Sequence, residues 1–144
     1  MGNIDKSVSK MVQSPQDDES LHLKVFFFRT GRGNEPVREW LKSLSVVEKR
    51  AIGEDVKTVQ FGWPLGMPLI RKLESGLWEI RSNLPSGIAR IIFTVKDNAM
   101  ILLHGFIKKS QKTPLADLRI ARLRLGQIKG FILNEERTYR FQFR

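Results

Sequence analysis

The sequence predicts an α+β domain: an antiparallel sheet meander packed on a helical hairpin, with a C-terminal helix and an extra tail. Three observations lead there. Two amphipathic segments with helix-start signals follow one another between residues 34 and 62. Three strand-like runs joined by short polar turns occupy residues 77–107. A Thr-Pro pair at 113–114 then opens a further helical segment.

The elements follow in order. Residues 1 to about 20 are polar, with no sustained period and with Asp17, Asp18 and Glu19 clustered, and are expected to be loosely attached. From Leu23 to Arg29 the run LKVFFFR favours a strand, which Gly31 and Gly33 interrupt. Pro36 suits a first helical turn, and Val37, Trp40, Leu41 and Leu44 then fall on one helix face. Ser45 and Glu48 form an S-x-x-E capping box for a second helix whose face is Ala51, Ile52, Val56 and Val59, ended by Gly62 and Pro64. Neither helix can bury its stripe alone, so the two are expected to pair against a sheet.

The predicted strands are Leu77–Arg81, Ile88–Val95 and Met100–Ile107, with Pro85, Ser86 and Gly87 in one turn and Asp97 and Asn98 in the next. Thr113 reads as an N-cap and Pro114 as a first-turn proline; Leu115, Leu118 and Leu125 supply an apolar stripe between Arg119, Arg122 and Arg124, and Gly126 and Gly130 end the helix. In the tail, Tyr139, Phe141 and Phe143 alternate with Arg140, Gln142 and Arg144, a strand period that fits an added edge strand or an irregular extension equally well.

Charge narrows the function. The net charge is +10, but it is uneven. Residues 1–22 hold two lysines (Lys6, Lys10) against four acids (Asp5, Asp17, Asp18, Glu19), so the remainder has 23 basic and 11 acidic residues, a net +12. A domain this basic is drawn to phosphates. With no cysteine and two histidines, disulfides and thiolate metal sites are excluded and other transition-metal sites have few ligands to draw on. No apolar run reaches the roughly 18–20 residues of a membrane span, no secretory signal opens the chain, and no Gly-rich phosphate loop or nucleophile elbow is present. A cytoplasmic location is expected.

Strand alternation sorts the side chains. Trp78 and Ile80, with Ala89, Ile91, Phe93 and Val95, and with Ile101, Leu103 and Ile107, are expected on the core face. Glu79, Arg81, Arg90, Leu102, His104, Phe106 and Lys108 are expected on the other. Cations beside an aromatic platform suit unstacked RNA. Each residue also has a plain reading: Arg81 and Arg90 as outward strand residues, Glu79 as a charge partner for Arg81, His104 as a packing histidine, and Lys108 and Lys109 as solvated charges.

Three stretches, RKLESGLWEIR (Arg71–Arg81), ARIIFTV (Ala89–Val95) and ILLHGFIKKSQKTP (Ile101–Pro114), resemble the HigB-type branch of the RelE/ParE toxins. In that branch a strand ending L-W-E-[IL]-R leads to an Arg-bearing strand, and a strand ending L-L-H-[GA]-F-x-K-K-[ST]-x-K-T-P follows. The likeness spans about residues 23–126, leaving 1–22 as a flexible extension and 127–144 as a tail. It implies a RelE-like β-α-α-β-β-β-α fold. It further implies a metal-independent endoribonuclease, an mRNA interferase of a type II toxin-antitoxin system, acting on mRNA at the ribosome with no cofactor. A cognate antitoxin with a helix-turn-helix domain is the implied partner.

Carried over by position, Arg81 and Arg90 match basic active-site positions, and Lys108 or Lys109 matches a basic position after the last strand. His104 is the candidate for proton transfer, since its ordinary titration lies nearest neutrality. Phe106, Lys112 and Arg71 are the candidate RNA-binding residues. The matched segment has no tyrosine, Tyr139 being in the tail, so a tyrosine relay is not expected. Two other readings are a ParE-like topoisomerase poison and a decayed, non-catalytic nucleic-acid binder.

Overall fold

The computed structural model of the protein describes residues 22–66, 68–109 and 112–129. Residues 1–21 of the N-terminal extension and the tail with Tyr139, Phe141 and Phe143 lie outside the described residues. Strand β1 (Lys24–Phe27) is followed by helices α1 (Pro36–Lys42) and α2 (Val46–Gly62). Strands β2 (Ile70–Glu74), β3 (Leu77–Leu84), β4 (Gly87–Lys96) and β5 (Ala99–Lys108) then lead to α3 (Leu115–Lys129).

The expected α+β architecture is present, with one strand more than expected. β2 had no signal as a strand, because in RKLE the alternation is hidden by charge on both faces. It is an edge strand, paired antiparallel with β3, and an edge tolerates charge. The sheet order is β1-β5-β4-β3-β2. β2 to β5 form the meander, whereas β1 lies parallel to β5, an arrangement that the α1–α2 crossover makes possible.

The start signal of α2 acts as expected. Ser45 Oγ accepts from Glu48 N at 3.1 Å and Glu48 Oε1 accepts from Ser45 N at 2.9 Å, the reciprocal capping box. The second carboxylate oxygen accepts from Ser86 Oγ at 2.9 Å, which ties the start of α2 to the β3–β4 turn. α3 begins at Leu115, one residue later than expected: Pro114 O accepts from Leu118 N at 3.1 Å and stands in the cap position, while the Thr113 hydroxyl bonds to Glu79 instead of capping the helix. It runs through Gly126 to Lys129. Gly126 therefore does not end it: packing of Leu125 and Ile128 holds the last turn against the sheet. The buried stripe of α3 is Leu118, Ala121, Leu125 and Ile128, while Leu115 is exposed.

Two layers cover the sheet. On one face α1 and α2 bury Val37, Leu41, Ile52, Val56 and Val59 against Val25, Phe27, Ile80, Ile91, Phe93, Met100 and Leu102. Trp78 belongs to this layer, edge-on to Trp63 at 5.1 Å and stacked with Phe93 at 6.2 Å. Gly105 lies here too: a Cβ at that position would come within 2.5 Å of the Trp40 indole, so the backbone of β5 approaches α1 closely. On the opposite face α3 packs on Phe28, Leu77, Ile92, Ile101 and Leu103.

The face assignment needs one correction on β5. Ile101 and Leu103 lie under α3, and Leu102 lies under the helical hairpin, the reverse of strict alternation; Ile107 is on the hairpin side as expected. A register shift between Ile92 and Phe93 explains it: Phe93 pairs with Leu102 but Ile92 pairs with His104. Leu103 is thus the extra residue of a β-bulge, and the alternation changes phase across it. From His104 onward the phase returns to the expected one.

Candidate nucleic-acid interface

The register lines up the polar residues of the α3-side face in rows. Arg71 pairs with Glu79, Glu79 with Ile92, and Ile92 with His104, one row across four strands. The next row is Arg81, Arg90 and Phe106, and the one after is Asn83, Ile88 and Lys108. Strand pairing, not proximity in sequence, brings these groups together.

α3 and the residues before it cover the middle of the first two rows. Arg90 and Glu79 are fully buried, at 0% exposure each. Thr113 bridges them. Its hydroxyl donates to Glu79 Oε2 at 2.7 Å and accepts from Arg90 NH1 at 3.4 Å, while Arg90 NH1 stands 3.8 Å from the same carboxylate oxygen. Arg81 Nε is 3.9 Å from Glu79 Oε1, with its side chain 12% exposed. Burial lowers the Arg90 guanidinium from its ordinary value, and the Glu79 charge opposes that shift. Arg81 and Arg71 push in the same direction as burial, whereas Asp117 favours the charged form. The outward Arg90 of the strand pattern is thus an interior cation, because α3 packs over the face that alternation left polar.

Beside this buried group is a partly open one. His104 Nε2 is 2.7 Å from Asp117 Oδ1, in the first turn of α3. The imidazole stacks with the Phe106 ring, centroids 5.5 Å apart and planes 28° apart. His104 and Phe106 are half-buried; Arg71, Lys108, Lys109 and Lys112 are exposed. Lys108 lies on the same face of β5 as His104 and Phe106, one row beyond Phe106. Arg71 is at the far end of the His104 row, three strand spacings away, or about 14 Å between backbones. The structure therefore groups His104, Phe106, Arg81 and Arg90 at the centre and spreads Arg71, Lys108, Lys109 and Lys112 around it.

Sequence reasoning missed two participants. Thr113 was legible only as a helix N-cap, yet its hydroxyl closes the Arg90–Glu79 pair. Asp117 carried the weak signal of an acid in the first turn of a helix, four residues after Thr113, and no pattern in the chain links it to His104. Farther along α3, Arg124 donates to Leu103 O at 2.7 Å and covers the Phe28 ring, and Arg122 pairs with Glu74 at 2.7 Å, so these arginines fasten the helix to the sheet. Among the described residues, no group of three or more His, Asp or Glu side chains is placed to hold a metal ion, and no helix is long and apolar enough to cross a membrane.

The arrangement can bind a phosphate chain along the cationic rim, stack a base near Phe106 and exchange a proton at His104. No curated protein matches the chain. A family model described as Phage derived protein Gp49-like matches residues 39–126, which include the second half of α1, all of α2 to β5, most of α3 and every candidate site residue. The chain belongs to this Gp49-like family of phage-derived proteins, part of the RelE/HigB-type toxin superfamily.

Proposed function

We propose that the protein is a HigB-type toxin that cleaves mRNA, in association with the ribosome, as a metal-independent endoribonuclease. The observation that carries this reading is the placement of the His104–Asp117 pair and the Phe106 ring on one sheet face with Arg81 and with the lysines at the end of β5, in a chain of a toxin superfamily. Cleavage by the 2′-hydroxyl needs a group to take the hydroxyl proton, cations for charge on the phosphorane oxygens and a proton for the leaving oxygen. His104 takes the proton. Arg81 and Lys108 or Lys109 hold the phosphate, and Phe106 stacks a base of the splayed strand. Arg71 and Lys112 guide the flanking backbone. Arg90, sealed beneath them, contributes its charge and holds the Thr113 segment in place rather than touching RNA.

Membership in a toxin superfamily implies an antitoxin. We infer one with a helix-turn-helix domain and an acidic surface suited to the +12 body, since charge pairing speeds association and selects the partner. The test is purified protein added to translating ribosomes in a chelator that spares magnesium, and to naked mRNA in EDTA, with mapping of the new mRNA ends. New 5′-hydroxyl ends are expected, and binding should weaken steeply with salt. Intact mRNA in both reactions would sink the nuclease reading. Topoisomerase inhibition in the same preparation would favour the ParE-like alternative.

A further inference from the structure

We propose that Asp117 is the positioning residue for His104, and that the nitrogen left to exchange protons with RNA is Nδ1; this rests on the nuclease reading above. A carboxylate only accepts hydrogen bonds, so the 2.7 Å contact places the hydrogen on Nε2. The neutral ring then carries its lone pair on Nδ1. The ring is held in two ways: its edge by Asp117 and its face by Phe106, at 5.5 Å and 28°.

Asp117 is itself held. It lies in the first turn of α3, four residues after Thr113, whose hydroxyl is bonded to the buried Glu79 at 2.7 Å. The start of α3 therefore registers the carboxylate against β5. The pair is not sealed, with side-chain exposures of 15% for His104 and 19% for Asp117.

The role follows from these constraints. As the O2′–P bond forms, the 2′-hydroxyl proton passes to Nδ1. The P–O5′ bond breaks and O5′ takes a proton from water, leaving a 2′,3′-cyclic phosphate and a 5′-hydroxyl; the ring then returns its proton to the hydroxide. Asp117 touches neither phosphate nor hydroxyl. It selects the tautomer and balances the imidazolium while the ring is charged. The same carboxylate also favours the charged form of Arg90. Loss of stability in a variant would therefore not by itself reveal the role.

The test combines Asp117→Asn, Asp117→Glu and His104→Gln with the double variant Asp117→Asn/His104→Gln. Single-turnover cleavage, RNA affinity and melting temperature are measured for each, and ¹⁵N shifts report the His104 tautomer in the wild-type protein. Asp117→Asn is expected to cut about tenfold to a hundredfold more slowly at saturating RNA, with affinity unchanged. It should add no further loss in the His104→Gln background, Asp117→Glu should recover part of the rate, and the wild-type ring should carry its hydrogen on Nε2. Wild-type cleavage by a folded Asp117→Asn protein, an additive loss in the double variant, or a hydrogen on Nδ1 would each overturn the inference while leaving the nuclease reading intact. If Asp117→Asn fails to fold, the tautomer and Asp117→Glu still decide it. No cleavage by the wild-type protein would remove the nuclease reading and this role together.

Discussion

The two faces of the sheet are both covered, but with different chemistry. The face under α1 and α2 is closed by hydrocarbon and aromatic rings, with Trp63, Trp78 and Phe93 in mutual contact. The face under α3 is apolar at one end, around Phe28, Ile92, Ile101 and Leu103, and polar at the other, where Glu79, Arg90 and Thr113 share a buried network. Burial is a property of both, so burial does not mark the site. What sets the α3 face apart is ionic side chains buried where apolar residues of the same size would be as stable or more so.

Breaking each face should give a different signature. The largest effect is expected from Trp78→Ala on the hairpin face: a loss of about 3–5 kcal/mol from the cavity left between Trp63 and Phe93, read by chemical denaturation. A melting temperature equal to wild type would mean that this layer does not carry the fold. Arg90→Met on the α3 face should cost about 3 kcal/mol, because Glu79 is left buried with less compensation. Here the comparison sharpens. Adding Glu79→Gln to Arg90→Met should recover a large part of that loss, whereas no second polar change can rescue Trp78→Ala. A double variant no more stable than Arg90→Met would show that the pair is not coupled.

His104→Gln should separate activity from stability. Cleavage is expected to fall about a hundredfold, equivalent to ~2.7 kcal/mol in the barrier, with RNA affinity and melting temperature nearly unchanged. Full cleavage with lowered stability would make His104 a packing residue. The smallest effect concerns the far edge of the hairpin layer. Hydrogen bonds from the Ser45 backbone and from Ser86 hold the Glu48 carboxyl below its ordinary value of 4.5. Its stabilising increment is therefore present above that value and is lost as the pH falls through the lowered one. Glu48→Gln keeps the hydrogen-bonding shape without the charge and should flatten the acid limb of the stability curve. An unchanged acid limb would show that the cap contributes nothing ionic.

The elements differ in how far they could be read. The S-x-x-E box and Pro36 announced α1 and α2 because helix starts are local: their hydrogen bonds close within three or four residues. The turns at Pro85–Gly87 and Asp97–Asn98 were equally local, with Gly87 at φ +140° and Asp97 at φ +57°. β2 was not legible, since an edge strand with charge on both faces has no period to detect. The bulge at Leu103 was not legible either, because an extra residue in one strand is defined only by its partner across the ladder.

For the site, the sequence by itself determined the chemical inventory. Arg71, Arg81, Arg90, His104, Phe106, Lys108, Lys109, Lys112 and a strongly basic body were all readable, as was the resemblance that suggested a toxin. Only the tertiary structure decided which of these groups face solvent and which do not. α3 closes over Arg90 and Glu79 while leaving His104 and Phe106 half open, and it brings Thr113 and Asp117 to partners 34 and 13 residues away in the chain. The reason is physical. A residue's type and its strand face are set by the chain, but its exposure is set by what packs on that face, and a helix dozens of residues downstream does that packing.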